Sequence, residues 1–343
     1  MKGVLLVNLG SPDSPTPKDV KPYLDEFLMD ERVIDAPKWL RTILVRGIIL
    51  QTRPKKSAAA YQKIWWEEGS PLIVISERFL HKVRSKTDLP VALGMRYGSG
   101  SIEEGLKELS AKGVDDVLLV PLYPHYAMSS YETVVVKTLE VQQDKFPHMG
   151  ITTLPAFYKT PGYIKVLADS IQDYLKDFQY DHVLFSYHGI PERHIRKSDP
   201  TRFHCKIDGK CCSVNSIAHN SCYRHQCYDT TERIIQTLDL PREKVSSSFQ
   251  SRLAGDPWLK PYTDYEFKRL AEEGKTRLAV ITPAFVSDCL ETLEEIAMEG
   301  KEDFLEAGGS EYIHIPCLND REDWVGLMGE WIDQWAETDA LPV

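Results

Sequence analysis

The sequence lacks long apolar runs and has no excess of basic residues. Its apolar runs, such as Val117–Val120 and Ile48–Leu50, fall far short of the roughly 18 residues that a membrane-spanning helix needs. The 343 residues include 41 Lys and Arg against 51 Asp and Glu, which gives a formal net charge of −10. An acidic chain without a long basic stretch is a poor candidate for binding a phosphate backbone, so we expect no nucleic-acid partner.

A nucleotide-binding loop is also missing. The string Gly98–Ser101 is rich in glycine, but it completes neither a G-x-G-x-x-G motif nor a P-loop lysine motif. We also expect no export signal, because Met1–Asn8 runs into a turn without a small-residue cleavage site. We therefore expect a cytoplasmic protein that binds no nucleotide.

Cysteine is scarce outside one segment. Five of the seven cysteines are crowded together, namely Cys205, Cys211, Cys212, Cys222 and Cys227, with His204, His219 and His225 between them. In a reducing compartment such crowding indicates metal ligation rather than disulfides. The adjacent pair departs from the usual C-x2-C zinc spacing, and thiolates in a loop suit a [2Fe-2S] cluster equally well. We predict a metal site on four of these five cysteines, with zinc and the cluster both open.

Short apolar runs alternate with longer amphipathic stretches along the chain. We predict buried strands at Val4–Val7, Val117–Val120, Val183–Phe185 and Leu278–Ile281. The stretch Ser101–Lys112 predicts a capped amphipathic helix that leads into the second of them. This alternation is typical of parallel sheets flanked by helices, an α/β fold.

The two halves of the sequence repeat each other. The segment Val4–Asp13 aligns with Val183–Glu192, and Pro124–Thr133 aligns with Pro283–Thr292, in the same order. Leu9 then corresponds to His188. A duplicated α/β domain follows, and because such sheets bind ligands beyond the carboxyl ends of their strands, we expect the site in a cleft between the halves.

His188 and three glutamates are the candidate acid–base groups. His188 follows a predicted buried strand, where an imidazole can exchange protons near neutral pH or bind a metal. Glu291, Glu295 and Glu299 are spaced four apart, as on one face of a helix. Because three aligned carboxylates repel one another, this row indicates either a path for a cation or protons, or a solvated acidic face.

Two segments could bind anionic groups on a ligand, and a third is amphipathic with many apolar residues. Arg53–Lys56 is basic, and Arg96 next to Tyr97 at a predicted strand end combines a carboxylate-binding guanidinium with an aromatic ring. The amphipathic stretch 37–50 reads as a buried helix or as a lip that receives an apolar ligand or touches a membrane.

Five ordered motifs together resemble the ferrochelatase family, closest to its Gram-negative bacterial branch. They are Ser186–Pro191, Phe249–Arg252, Asp256–Leu259, Pro261–Asp264 and Ala284–Ile296, and the match runs from Val4 to about residue 333. The resemblance implies two Rossmann-like domains with the active site between them, and insertion of Fe²⁺ into protoporphyrin IX to give protohaem. We accordingly divide the chain into residues 1–155, residues 156–318 with an insertion at about 201–227, and a C-terminal helix at 319–343.

The resemblance also implies roles for single residues. His188 would bind the substrate iron or accept a pyrrole proton, Glu291 would be its partner, and Glu295 and Glu299 would extend a proton or metal path. Porphyrin would contact a set of residues spread along the chain: Leu9, Arg53, Ser70, Arg96, Tyr97 and Trp258. The cysteine-rich insertion would hold a [2Fe-2S] cluster, and the 37–50 lip would make peripheral contact with the inner membrane.

Three other functions stay open at this point. One is iron insertion into coproporphyrin III, against which Leu9 argues because relatives that use that substrate tend to place Tyr there. Another is cobalt insertion into sirohydrochlorin. The last is a haem or iron–sulfur sensor without catalysis, which the presence of both His188 and Glu291 disfavours.

Overall fold

The computed structural model describes residues 1–252 and 255–342, and these contain two parallel sheets. The strands are β1 (Lys2–Ser11), β2 (Val91–Gly98), β3 (Asp116–Pro121), β4 (Gly150–Thr153), β5 (His182–His188), β6 (Val245–Gln250), β7 (Arg277–Ile281) and β8 (Glu311–Ile315). The first sheet has the order β2-β1-β3-β4 and the second β6-β5-β7-β8. The two orders are equivalent, which confirms the α/β fold of two similar parallel-sheet domains.

Helices connect the parallel strands, as parallel pairing requires. They are α1 (Pro17–Leu28), α2 (Lys38–Thr42), α3 (Leu50–Ile64), α4 (Pro71–Arg84), α5 (Ile102–Ala111), α6 (Thr133–Lys145), α7 (Pro161–Leu175), α8 (Glu192–Lys197), α9 (Tyr223–Leu238), α10 (Thr263–Glu272), α11 (Lys301–Glu306) and α12 (Glu322–Thr338). Three π-helical stretches, Ile43–Ile49, Met128–Glu132 and Glu291–Gly300, run directly into α3, α6 and α11. None of the helices in the described part of the chain is both long and apolar enough to cross a membrane.

The chain divides into two compact units. The N-terminal unit comprises residues 1–122, 128–155 and 319–342, and the C-terminal unit comprises residues 123–127 and 156–318. The first unit holds β1–β4 and the second holds β5–β8. Helix α12 belongs to the N-terminal unit, where Trp324 stacks on Phe79 of α4 with ring centroids 5.7 Å apart.

The predicted strands form the buried centres of the sheets. Val4–Val7 in β1 and Val183–Phe185 in β5 are fully buried, because helices cover both faces of a parallel sheet and leave no polar side. Each such aliphatic side chain contributes about 1.5–3 kcal/mol to folding. The predicted helix after Ser101 is also confirmed, since Ser101 and Glu104 form a reciprocal capping box at the start of α5.

The glutamate row differs in one respect from the sequence prediction. The spacing of Glu291, Glu295 and Glu299 suggested an ordinary α-helical face, but the structure has a π-helix there. A π-helix closes its hydrogen bonds at i→i+5, so its turns are wider than those of an α-helix. The row therefore lies on a helix type that periodicity alone does not reveal.

Candidate active site

His188 ends strand β5, opposite Gln250 of β6. Its Nδ1 lies 2.7 Å from the carbonyl oxygen of Gly189, and because a carbonyl only accepts, Nδ1 carries the hydrogen and Nε2 keeps a lone pair. Burial lowers the pKa of His188, although the nearby Glu291 carboxylate acts in the opposite direction. The ring is thus a neutral base at physiological pH.

A glycine makes the turn after His188 possible. A Cβ on Gly189 would lie 2.6 Å from the carbonyl oxygen of Gln250 and 3.3 Å from the Trp258 ring, so no larger residue fits. The Tyr223 hydroxyl donates to the carbonyl oxygen of His188 at 2.8 Å. The strand end that carries the imidazole is therefore fixed from both sides.

Glu291 opens the π-helix beside this strand end. Its carboxylate acts on His188 electrostatically, and the buried Cys289 thiol hydrogen-bonds to it. Gln250 links the two elements, because its Nε2 donates to the carbonyl oxygen of Glu291 at 3.1 Å while its Oε1 accepts from Ser186 at 2.8 Å. The structure thus brings the predicted base and carboxylate together.

Glu295 is held by a serine with an unusual backbone. Ser251 has φ of 58°, in the left-handed region, and there it donates both its N–H, at 2.9 Å, and its hydroxyl to the Glu295 carboxylate. Burial, together with the carboxylates of Glu291 and Glu299, raises the pKa of Glu295 to about 7 against the opposing Ser251 hydrogen bonds. Glu299 is exposed, so the row runs from beside His188 to the surface.

In the N-terminal unit, Leu9 lies where β1 passes β2. Its neighbours Asn8 and Gly10 pair with Met95 and Tyr97. A Cβ on Gly10, whose φ is 101°, would lie 1.8 Å from the carbonyl oxygen of Tyr97, so the close approach of these strands requires glycine. Leu9 is half-buried and is placed next to the strand that carries Arg96.

Arg96 is held by the buried carboxylate of Asp30. Its Nη2 lies 2.5 Å from Asp30 Oδ2, and its Nε donates to Thr133 at 2.7 Å. The Tyr97 hydroxyl donates to the same Asp30 oxygen at 2.9 Å. Despite burial, the hydrogen bonds and the Arg96 charge lower the pKa of Asp30, so the pair is ionised.

Tyr97 does not present its ring to solvent. Its exposure is 0%, and burial raises the pKa of its hydroxyl well above the ordinary value. A ring covered in this way has no face on which a flat ligand could stack. The tyrosine instead supports Arg96, whose guanidinium lies 4.2 Å from the ring centroid.

Two more of the predicted contacts lie in other parts of the N-terminal unit, and the buried Trp258 lies in the C-terminal unit. Arg53 is exposed on α3, and Ser70 is buried directly before α4. The 37–50 lip exposes apolar side chains, with Trp39 at 67% and Ile48 at 61%. Its arginines are turned to the protein, since Arg46 binds Asp25 through two hydrogen bonds and Arg41 donates to main-chain carbonyls.

The cysteine-rich segment collects thiols in the C-terminal unit. The Cys222 thiol hydrogen-bonds to those of Cys212 and Cys205, and Cys211 lies close enough to interact electrostatically with both of the latter. The bond from Cys212 in particular lowers the pKa of Cys222 to about 6. Cys227 differs, because its buried side chain interacts with Tyr223.

The thiols converge without forming a finished metal site. In residues 1–252 and 255–342, no three His, Cys, Asp or Glu side chains are arranged to hold a metal ion. The donor chemistry nevertheless suits a thiolate-bound group, since the Cys222 sulfur already accepts hydrogen bonds from two thiols and metal binding releases such protons.

Several residues of this arrangement are missed by the sequence analysis. Asp30 carries no local signal, because its partners Arg96 and Thr133 are far away along the chain. Ser251 and Gln250 lie in the Phe249–Arg252 motif, which carries the family resemblance but predicts no site role for either residue. The position of Ser251 directly after a strand could be predicted from the sequence. Its contact with Glu295 could not, because the two residues are far apart along the chain.

Comparisons with known proteins match most of the chain to one family. A family model described as Ferrochelatase matches residues 1–335. A curated ferrochelatase of Opitutus terrae is 48% identical over 339 residues, covering 98% of each chain, and one of Stutzerimonas stutzeri is 46% identical over 329 residues, covering 95% of this chain and 96% of the other. A solved structure of SirB from Bacillus subtilis with Fe³⁺ has a TM-score of 0.56 at 12% identity, covering 100% of this chain and 99% of that one, a likeness of fold alone.

Proposed function

The chain belongs to the ferrochelatase family, and from that premise we propose how its residues insert ferrous iron, the metal substrate, into a porphyrin. It is a metal chelatase of haem biosynthesis. Metallation removes the N–H protons of a planar macrocycle and the waters of a divalent ion, so the site needs a base, anionic groups and apolar contacts. The observation that carries the assignment is the neutral His188 imidazole beside the Glu291 carboxylate.

His188 accepts a pyrrole proton or binds the entering iron through Nε2. Its Nδ1–H is bound to Gly189, which fixes the tautomer that leaves this lone pair in place. Glu291 stabilises the imidazolium that forms when the proton is taken up. The positive charge is thereby balanced within the site.

Glu295 and Glu299 carry protons between Glu291 and the surface, or metal in the opposite direction. A carboxyl group with a pKa of about 7 holds and releases a proton equally well at neutral pH, which suits Glu295 to a relay. Ser251 keeps its carboxylate in a fixed orientation. The exposed Glu299 exchanges with solvent.

Porphyrin is bound by apolar surfaces and by cations. Leu9 packs on the macrocycle, with Ser70 lining the pocket, while Arg96 and Arg53 attract its propionates and Tyr97 acts through Arg96. The buried Trp258 indole N–H has no hydrogen-bond partner in the described part of the chain, so an acceptor on the substrate would satisfy it.

The substrate is protoporphyrin IX rather than coproporphyrin III. The half-buried Leu9 presents an apolar side chain, which favours the ring with vinyl groups over one with two more carboxylates. Protoporphyrin IX is also the more apolar of the two and partitions into membranes.

The 37–50 lip contacts the membrane as a peripheral element at the cytoplasmic face. Trp39, Ile43 and Ile48 are exposed, while Arg41 and Arg46 are bound to the protein. An exposed apolar helix face with a tryptophan is typical of elements that lie at a bilayer surface.

The cysteine-rich segment holds a [2Fe-2S] cluster, with zinc as the alternative. Cys205, Cys212 and Cys222 are the ligands supported by thiol contacts, and Cys211, which interacts electrostatically with Cys205 and Cys212, is the fourth. Such a cluster supplies one-electron redox chemistry when bound. No step of metal insertion is assigned to it.

The reaction is tested by mixing the chain anaerobically with ferrous iron and protoporphyrin IX in detergent and following the porphyrin absorption bands. We expect loss of the free-porphyrin bands and appearance of haem. In His188→Ala the rate should fall by about 10²–10⁴-fold, because a positioned base contributes that much, while porphyrin binding measured by fluorescence quenching stays nearly unchanged.

The matched control is His148→Ala, which removes an exposed imidazole in the N-terminal unit. Near-normal turnover of His188→Ala would overturn the role of this residue. If the wild-type chain binds protoporphyrin IX but metallates only coproporphyrin III or sirohydrochlorin, the substrate assignment is wrong.

A further inference from the structure

Three histidines of the cysteine-rich segment donate hydrogen bonds to the main chain of its two adjacent cysteines. The Nε2 atoms of His204 and His219 lie 2.9 and 3.2 Å from the carbonyl oxygen of Cys211. The Nδ1 atom of His225 lies 2.9 Å from the carbonyl oxygen of Cys212. Because a carbonyl oxygen only accepts, each of these nitrogens carries a hydrogen, which fixes the tautomer of each neutral ring.

These bonds join the three cysteine-bearing pieces of the segment. His204 directly precedes Cys205, while His219 and His225 stand three residues before and after Cys222. Each histidine therefore connects the backbone near one cysteine to the turn that carries Cys211 and Cys212. The cysteines are far apart in sequence for a single turn, so such links are needed to bring them together.

The turn of the adjacent cysteines is not stable by itself. It is one short 3₁₀ turn, Lys210–Ser213, after Gly209 in the left-handed region. A single helical turn is unfavourable in isolation, because its nucleation costs more than one hydrogen bond returns. Asp208 holds its amide side, accepting from the N–H groups of Lys210 and Cys211 at 3.0 and 3.2 Å. The histidines hold its carbonyl side.

The imidazoles also pack on one another. The rings of His219 and His225 are stacked with centroids 3.5 Å apart and planes 10° apart, and His204 meets His219 edge-on at 5.3 Å. Packing of this kind limits the motion of each ring. The three donors are therefore fixed in direction as well as in tautomer.

We propose that His204, His219 and His225 are positioning residues that hold the cysteine thiols ready for a metal through these bonds to the main chain. This inference rests on the metal site proposed above. Hydrogen bonds that orient metal ligands from outside the coordination sphere typically change metal affinity by about 10–100-fold. We expect the same scale here.

The test combines two readouts besides activity. The first is the half-life of the visible absorption of an anaerobically reconstituted cluster after addition of a chelator. In the triple variant His204→Ala, His219→Ala, His225→Ala this half-life should fall by about 10-fold or more. The second is the rate at which a maleimide alkylates the thiols of the metal-free protein. That rate should rise, because the turn is no longer held.

A donor-retaining variant separates positioning from loss of fold. Gln places an amide N–H near the position of a histidine Nε2, and Asn places one near that of Nδ1. The variant His204→Gln, His219→Gln, His225→Asn should therefore recover most of the cluster half-life and the slow alkylation. His148→Ala, which changes an exposed histidine of the N-terminal unit, should behave as wild type.

The outcomes distinguish this inference from the metal site itself. Nitrogen coupling from histidine in pulsed EPR of the reduced cluster would make a histidine a ligand and overturn the inference, as would a wild-type half-life and alkylation rate in the triple alanine variant. If the wild-type chain takes up no cluster, the proposed cofactor fails. In that case faster alkylation in the alanine variant still supports the histidine bonds, and an unchanged rate overturns them.

Discussion

Glu295 shows how much a single residue depends on its surroundings. Its carboxyl is mostly buried, lies between two other carboxylates, and is bound by a serine 44 positions away in the chain. The first two features favour the protonated form and the last favours the ionised form. Their balance leaves the pKa at about 7, in the range where a relay operates.

This raised pKa predicts how stability depends on pH. The folded chain keeps the Glu295 proton up to about pH 7, whereas the unfolded chain releases it near its ordinary value of 4.5, so the folded state binds more protons in between. Stability contributed by this group is therefore full below pH 4.5 and is lost as pH rises to about 7.

We expect Glu295→Gln, which resembles the protonated form, to flatten the decline between pH 5 and 7 in wild-type stability. Urea midpoints measured across pH 5–8 check this. Glu306→Gln, at the exposed end of α11, is the matched control and should keep the wild-type slope. An identical slope in Glu295→Gln and wild type would contradict the assignment.

Gly10 is a residue whose replacement should be costly. A Cβ there would lie 1.8 Å from the carbonyl oxygen of Tyr97, and its φ of 101° is unfavourable for other residues. We expect Gly10→Ala to destabilise the chain by on the order of 3 kcal/mol or more, measured by denaturant unfolding.

The control is Gly326→Ala in α12, where a Cβ would meet no atom within 4 Å. Because alanine favours a helix over glycine, this change should stabilise the chain by about 0.5–1 kcal/mol. A Gly10→Ala protein as stable as wild type would refute the close approach of β1 and β2.

At the scale of elements, the π-helices were the least predictable feature. Periodicity correctly indicated helices near the glutamate row and in the 37–50 stretch, since apolar spacing is a local property. It did not indicate the wider turns of Ile43–Ile49 and Glu291–Gly300, which depend on what each helix packs against. The bonds of Asp30 to Arg96 and of Ser251 to Glu295 were unpredictable for the same reason.

The lip is an element whose exposed face can be removed without touching the core. We expect the triple variant Trp39→Ser, Ile43→Ser, Ile48→Ser to reduce binding to vesicles of phosphatidylethanolamine and phosphatidylglycerol by at least about 10-fold, because three large side chains no longer insert. Co-sedimentation measures this. Tyr174→Ser on α7, also an exposed aromatic, should bind as wild type, and equal binding of all three proteins would argue against a membrane-binding lip.

For the molecule as a whole, the two-domain α/β fold could be predicted because the same sequence pattern occurs in both halves of the chain. Two aligned pairs of motifs in the same order pointed to duplication, and the sheets have equivalent strand orders. The number and choice of metal ligands could not be predicted in this way, because the cysteine spacing fits several arrangements.

The structure distinguishes the cysteines whose thiols contact one another from Cys227, whose side chain interacts with Tyr223. Anaerobically purified wild-type protein should show cluster absorption with iron and sulfide bound, and Cys212→Ser should lose them, because Cys212 contacts Cys222. Cys227→Ala should keep them, since that side chain is fully buried and interacts with Tyr223. Iron, zinc and sulfide analysis of the three proteins checks this, and a colourless wild-type protein that contains zinc would decide for the alternative metal.

The equivalent strand orders also bear on ancestry. The position of His188 at the end of β5 corresponds to Leu9 on β1, and Glu291 corresponds to Glu132, which is paired with Arg32 instead of a histidine. Descent from one ancestral half that was copied and joined to itself would leave this pattern of shared topology and exchanged side chains. In the mechanism proposed above, the copy with His188 would carry the proton chemistry and the copy with Leu9 would contact the apolar ring.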